Sequence, residues 1–327
     1  MTDDWGAMAA AALAAWGGDA RTLRLVKARE NVVFRAELAG GPVALRLHRP
    51  GYQTEAAIRS ELIWTGLLAR RGLPVPAPVL TASGDLTARA GGRVASCVSW
   101  LGGDPVGAAE TPLSGDADEQ RALMTGIGRL LSRLHAETDR LTLPPSFERP
   151  VWNAEGWLGA DPLWGRFWEN PAFTPADLGI IQEARAFARK RLETMPLKPG
   201  DFGLIHADVL RENLLRSGEA LALIDFDDCG FGHRLYDLAT AVVQSLEEPG
   251  LPMIVAGLCA GYAADRGRKG AIPGDLALFV MLRTFASAGW IATRAGPDDP
   301  RQAFYAGRAR RMAGHVLAGT APWDDRP

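Results

Sequence analysis

The sequence predicts an α+β protein in two lobes: a small antiparallel β lobe with one helix over residues 1–101, and a larger, mainly helical lobe over 102–327. Three observations predict it. Up to about residue 100, short apolar runs alternate with polar residues and are bounded by glycines, the period-two pattern of half-buried strands. The segment Leu101-Gly102-Gly103-Asp104-Pro105 then interrupts the pattern as a hinge. Beyond it, long segments carry apolar residues at helical spacing.

In chain order, runs 32–38 and 43–48 flank Gly40-Gly41 and read as a hairpin. Thr54 is placed to cap a helix over 55–70, with Ile58, Leu62 and Leu68 on one side and Gly72 at its end. The prolines at 74, 76 and 78 exclude helix and lead into strands at 79–81, 86–90 and 93–100. In the second lobe, helices are expected at about 116–137 and at 175–194, the latter with Thr174 as N-cap and Pro175 in its first turn. Three more are expected near 252–266, 273–294 and 301–318. Between the first two lies an irregular segment with Trp152, Trp157, Trp164 and Trp168. A strand–loop–strand insert occupies 203–224 and turns at Arg216-Ser217-Gly218.

Composition narrows the function. The net charge of −2 argues against a nucleic-acid surface. Three scattered cysteines, Cys97, Cys229 and Cys259, offer neither a disulfide framework nor zinc-ligand spacing. No apolar run approaches the roughly 18 residues of a membrane span. The N-terminus, with Asp3 and Asp4, has no basic n-region of a secretory signal. A cytoplasmic protein without a membrane partner is expected. The sequence gives no oligomeric state.

The chemistry concentrates in His206-Ala207-Asp208-Val209-Leu210-Arg211-Glu212-Asn213, followed by Ile224-Asp225-Phe226-Asp227. An Asp precedes an Asn by five residues, and a second Asp follows that Asn by twelve. Phosphoryl transfer needs alignment and charge neutralisation more than covalent chemistry. Asp208 would accept a hydrogen bond from the attacking hydroxyl. Asn213 and Asp225 would offer hard oxygen ligands to Mg²⁺. His206 reads as a residue that fixes the loop. Asp227 either assists the metal or is a solvated or capping acid.

This pattern resembles the catalytic motif of aminoglycoside phosphotransferase-type kinases, a superfamily with choline kinases, type II homoserine kinases and bacterial stress-response Ser/Thr kinases. The resemblance runs from Glu30-Asn31-Val32-Val33-Phe34-Arg35 to Tyr236-Asp237-Leu238-Ala239. It implies a bilobal protein-kinase-like fold that uses ATP and Mg²⁺. It makes Asp237 a buried carboxylate tying the catalytic loop to the next helix. No GxGxxG precedes the hairpin; the resemblance implies that backbone amides or the Asn31 side chain replace it, a plain turn being the alternative. It also implies that backbone groups at Ser99, Trp100 and Leu101 read the adenine edge.

In the small lobe, Ala44-Leu45-Arg46-Leu47 occupies the strand where kinases place a phosphate-binding Lys. None of the four lysines, Lys27, Lys190, Lys198 and Lys269, lies on it. Arg46 keeps the charge with a different geometry, and Glu61 on the following helix is its expected partner. The alternatives are an exposed strand Arg and a solvated helix acid. The tryptophans are either an acceptor pocket or helix packing, and His135 is a core or capping residue. His48 and His315 have no evident partner, and Arg308, Arg310 and Arg311 read as a solvated helix face.

Only eleven residues separate Asp225 from Asp237, too few for the activation segment on which eukaryotic-type protein kinases lay a peptide. A small hydroxyl-bearing acceptor is expected: an aminoglycoside, an amino alcohol or a homoserine-like compound. The alternatives are a Ser/Thr protein kinase of the stress-response type and a catalytically silent nucleotide-binding module.

Overall fold

The structure, a computed structural model, describes residues 5–109, 111–264 and 273–324. Asp3 and Asp4, and the last two positions of the helix expected near 252–266, lie outside them. The chain runs through α1 (Trp5–Leu13), β1 (Arg24–Ala28), β2 (Val32–Leu38), β3 (Gly41–Leu47), α2 (Glu55–Arg70), β4 (Pro78–Val79), β5 (Thr87–Ala90), β6 (Arg93–Ser99) and β7 (Asp104–Pro105). It continues through α3 (Ala117–Asp139), β8 (Val151–Trp152), α4 (Ala154–Leu158), α5 (Pro175–Thr194), β9 (Phe202–Ile205), β10 (Leu214–Ser217), β11 (Ala220–Leu223) and β12 (Gly230–His233). It closes with α6 (Leu235–Val243), α7 (Leu251–Ala264), α8 (Leu276–Ala292) and α9 (Pro300–Ala318).

These elements divide into two compact units. The first holds the chain up to Asp104 together with Leu141–Arg149 and Leu215–Asp227. The second holds Pro105–Arg140, Pro150–Leu214 and the chain from Asp228 onward.

The first unit is built on an antiparallel sheet ordered β1-β2-β3-β6-β4, with β5 also paired to β6. Alternation along β3 buries Val43, Leu45 and Leu47 on one face. That face packs with Val32, Phe34 and Ala36 against Ala9, Ala12, Leu13 and Trp16. The alanine-rich α1 thus covers the sheet, although its sequence has no strong amphipathic stripe. Arg46 points to the opposite face, as the period of two requires. Helix α2 begins where Thr54 accepts the Ala57 amide at 3.0 Å. It buries Ile58, Leu62, Trp64 and Leu68, and with them Glu61. The β10–β11 hairpin and the turn after it belong to this unit. Leu223 donates its amide to Pro74 at 3.0 Å, and Phe226 meets Trp64 edge-to-face at 5.3 Å. Asp225 is therefore fixed against the small sheet and helix, although it lies far along the chain.

The second unit is helical around one short sheet. Strand β12 pairs antiparallel with β9 and parallel with β8. Helix α3 starts with a capping box of Asp116 and Glu119, and α5 with one of Thr174 and Asp177 plus Pro175. Helices α3 and α7 meet along a glycine seam. A Cβ on Gly261 would lie 2.0 Å from the Thr125 carbonyl oxygen, and one on Gly128 2.2 Å from that of Leu258. Helix α8 is buried on nearly all sides, the signature of a core helix. Arg283 sits in it at 3 % exposure, so its charge must be met by partners.

Candidate active site

Strand β9 ends at Ile205 and delivers the chain into the motif loop. The loop is held from below by Asp237 of α6, which is fully buried. Its Oδ2 accepts the His206 amide at 3.0 Å and its Oδ1 the Ala207 amide at 2.7 Å. Ala207 adopts a left-handed φ of 65°, which a non-glycine residue holds only when its surroundings enforce it. Asp237 also bonds His135 Nε2 at 2.9 Å, and His135 Nδ1 bonds the Tyr262 hydroxyl at 2.9 Å. Burial alone would raise the Asp237 carboxyl, but the His135 hydrogen bond and the neighbouring His206 hold it below the usual carboxylate value. His206 supports the loop directly: its Nδ1 accepts the Asp208 amide at 3.2 Å.

That loop presents Asp208 between two donors. Its Oδ1 is 3.0 Å from Arg283 Nη2, and its Oδ2 accepts from Asn213 Nδ2 at 3.0 Å. The same Asn213 nitrogen reaches the Asp208 carbonyl at 2.9 Å. With its nitrogen committed to Asp208, the Asn213 oxygen is the atom left to face a cation. Arg283 is braced in turn by Ser287 at 2.7 Å and by the Trp164 ring, 4.5 Å away.

In the first unit, Arg46 joins three carboxylates. Its Nη1 lies 3.1 Å from Glu61 and 3.8 Å from Asp227, and its Nη2 2.9 Å from Asp225. Burial alone would lower the Arg46 guanidinium, but these three acids outweigh it and hold it above its ordinary value. Glu61 shows the opposite balance. Burial pushes its carboxyl up to about 7, and Arg46, shared with two other acids, pulls it down only in part. Its Oε2 has no hydrogen-bond partner. Asp225 stands in the left-handed region at φ 66° and is the least buried of the three acids.

The other expected residues fall into place unevenly. Asn31 does not present a free amide: Nδ2 donates to Asp227 at 2.9 Å and Oδ1 accepts the Arg49 amide at 2.8 Å. Asp227 is consequently neither solvated nor capping. Its carbonyl takes hydrogen bonds from Arg149, which also bonds the Ala57 carbonyl of α2. The Ser99 amide is given to Ala77 at 2.8 Å and the Trp100 amide to Pro42 at 3.0 Å. Backbone reading of a base there would fall to carbonyls or to Leu101.

Trp152, Trp157 and Trp164 are buried packing around Tyr236 and Asp228, not an open cage. His48 has a partner, Ser96 at 2.8 Å, and His315 has Thr320 at 3.0 Å. Arg308 corrects the solvated-face reading of its helix: it is 5 % exposed and bonds Glu247. Sequence reasoning missed Arg283, Tyr262 and Arg149, and saw His135 only as a core or capping residue. An arginine inside the apolar run of α8 was the one available signal for Arg283.

Among the described residues, no cluster of three or more His, Cys, Asp or Glu side chains could hold a metal. Asn213, in the second unit, and Asp225, in the first, each carry an oxygen donor. A profile of the phosphotransferase enzyme family matches residues 22–271 and so spans the sheet, α2, both motif segments and Asp237. The chain belongs to this family. Family resemblance extends to whole structures. A microcompartment-associated aminopropanol kinase superposes with a TM-score of 0.81 at 29 % identity, covering 95 % of this chain and 97 % of that one. An amicoumacin kinase bound to AMP-PNP and Ca²⁺ superposes with a TM-score of 0.74 at 18 % identity, covering 98 % and 95 %. The fold is the α+β, protein-kinase-like fold expected for the family. In sequence, a homoserine kinase of Janthinobacterium sp. (strain Marseille) is 28 % identical over 177 residues, 54 % of this chain and 49 % of that protein. The chain thus spans about half the length of the curated relatives it matches first. Among the described residues, no helix is long and apolar enough to cross a membrane.

Proposed function

We propose that this protein is a kinase that transfers the γ-phosphoryl group of ATP, with Mg²⁺, to a hydroxyl of a small acceptor such as an amino alcohol or a homoserine-like compound. The observation that carries the reading is the clamped Asp208, set between Arg283 and Asn213 on a loop pinned by Asp237. A loop built this way serves alignment. The names of the related homoserine and aminopropanol kinases support the acceptor class, and the AMP-PNP and Ca²⁺ of the amicoumacin kinase support nucleotide with a divalent cation.

The donor chemistry of each residue suits the role proposed for it. Asn213 and Asp225 are hard oxygen donors with a single charge between them, a set suited to Mg²⁺ that takes its remaining ligands from phosphates and water. When bound, MgATP supplies the phosphoryl group and neutralises charge on its oxygens. Asp208 accepts a hydrogen bond from the acceptor hydroxyl, orients its lone pair and takes its proton as the acceptor O–P bond forms and the bond to the leaving ADP breaks. Asn213 and Arg283 keep that carboxylate in one rotamer. Arg46 supplies positive charge to the phosphates, and Glu61 holds it in place. Ser99, Trp100 and Leu101 line the adenine edge.

The short interval from Asp225 to Asp237 is filled by the 3₁₀ turn Phe226–Asp228 and strand β12. This argues for a small acceptor over a peptide. The test is labelled ATP and Mg²⁺ with a panel of amino alcohols, homoserine, sugars, aminoglycosides and a Ser/Thr protein, run on wild type and Asp208→Ala. Acceptor-dependent transfer lost in the variant supports the reading. Equal turnover in both proteins overturns it.

A further inference from the structure

Against Arg283, the partner of Asp208, the second unit contains a cavity of about 50 Å³. Measured against the roughly 10–15 Å³ that one water needs, it holds about four water-sized groups. That suits the head group of a small amino acid. Its charged lining is Arg283, Arg308 and Glu212, joined by Ser287, Gln244 and Tyr305. Resting on the kinase reading above, we propose that this cavity is the acceptor subsite, and that it selects a hydroxy amino acid by its carboxylate as well as its ammonium.

The two signs of charge are laid out for a zwitterion. Arg308 is fixed before any ligand arrives: Nε and Nη2 bond Glu247, and the guanidinium lies over the Phe304 ring at 4.3 Å. Its Nη1 is the nitrogen left to receive an anion. Glu247 is shared with Arg311, so one acid faces two guanidiniums and the group keeps a net positive charge. Arg283 adds a second donor. It is almost fully buried, and its Nε has no hydrogen-bond partner, an unmet donor in a wall of the cavity. Glu212 provides the opposite sign. Gln244 donates to its Oε2 at 2.9 Å and so orients it. An acceptor with its carboxylate on Arg308 and Arg283 and its ammonium on Glu212 would sit beside Asp208, to which Arg283 is bonded. A purely cationic acceptor would use Glu212 alone and leave Arg308 and Arg283 unmatched, with the neighbouring tryptophans closed by packing.

The test uses acceptor pairs that differ only in the carboxylate: homoserine and 3-amino-1-propanol, threonine and 1-amino-2-propanol, serine and ethanolamine. Wild type is expected to favour the carboxylated member of its best pair roughly 10- to 100-fold in kcat/KM, the effect of one charge-assisted hydrogen bond. Arg308→Met should erase that preference by raising KM for the carboxylated member alone, and Arg308→Lys should restore part of it. Glu212→Gln should weaken both members equally. The KM for ATP should stay unchanged in all three variants, which separates a lost subsite from a lost fold. A wild-type preference for the amino alcohols, or an Arg308→Met effect equal on both members, overturns the proposal while leaving the kinase reading standing. If no pair member turns over, calorimetric titration in the presence of AMP-PNP and Mg²⁺ decides. Tighter binding of the carboxylated member then supports the subsite, and equal or absent binding overturns it.

Discussion

Arg46 and Asp225 are joined at 2.9 Å, so the cation proposed for phosphate rests on the acid proposed for metal. Under that proposal either ligand loosens the pair when it binds. The same guanidinium also compensates Glu61 and Asp227. Arg46→Met should leave three acids without their common partner and cost about 3–5 kcal/mol of stability. Arg46→Lys should keep the fold while raising the KM for ATP, because an ammonium cannot reach all three acids at once. Thermal unfolding and nucleotide kinetics on the two variants check this; equal stability of both would remove Arg46 from the role of keystone.

Asp225→Asn is expected to fold, since Asn tolerates the left-handed φ that Asp225 holds. It removes the charge of the proposed oxygen ligand. Titrating Mg²⁺ against AMP-PNP binding should show a requirement for more metal, with binding at saturating Mg²⁺ largely retained.

Asp208→Asn should lower kcat by about 10²–10⁴-fold with little change in ATP affinity, the loss associated with a positioned base. Rapid-quench kinetics and nucleotide titration separate the two effects.

Glu61 predicts a slope of stability with pH. Its folded carboxyl titrates near 7 against an ordinary value of 4.5. Between these values the folded state holds a proton that the unfolded chain has lost, so this contribution is full below about 4.5 and is lost as pH rises through 7. Asp237 works in the opposite sense. Its lowered carboxyl contributes stability above the usual Asp range, which is lost as pH falls through its folded value. Glu61→Gln should flatten the decline between pH 4.5 and 7 and leave the acid limb intact, as read by urea unfolding at a series of pH values.

His135→Phe should act as a positioning change. It removes the bond to Asp237 and leaves the Tyr262 hydroxyl to find another partner. The expected outcome is a lower kcat with unchanged KM for ATP. Partial recovery in His135→Gln, which can still donate to Asp237, would distinguish this role from plain core packing.

Much of this was legible in sequence because the relevant signals are local. Thr54, Asp116 and Thr174 cap helices through neighbours within three residues, and the spacing of Asp208, Asn213 and Asp225 needs no tertiary knowledge. Arg283, His135 and Tyr262 were illegible as site residues for the opposite reason. Each meets its partner across 75 residues or more, and nothing in a helical period says which buried polar side chain lies opposite. The engagement of Asn31 was illegible for the same reason, because its amide closes on Asp227, 196 residues away. Helix α1 was missed because alanine favours helix without marking a face.

The seam between α3 and α7 decides more than how two helices lie. Gly128 and Gly261 let the backbones approach so closely that Tyr262, next along α7, reaches His135 on α3. From His135 the contact passes to Asp237 and on to the loop that carries Asp208. A single methyl group on the seam would therefore be felt at the Asp208 carboxylate, through side chains far from it in sequence. Inactivating variants of this chain should be sought in the glycines of these two helices as readily as in the motif.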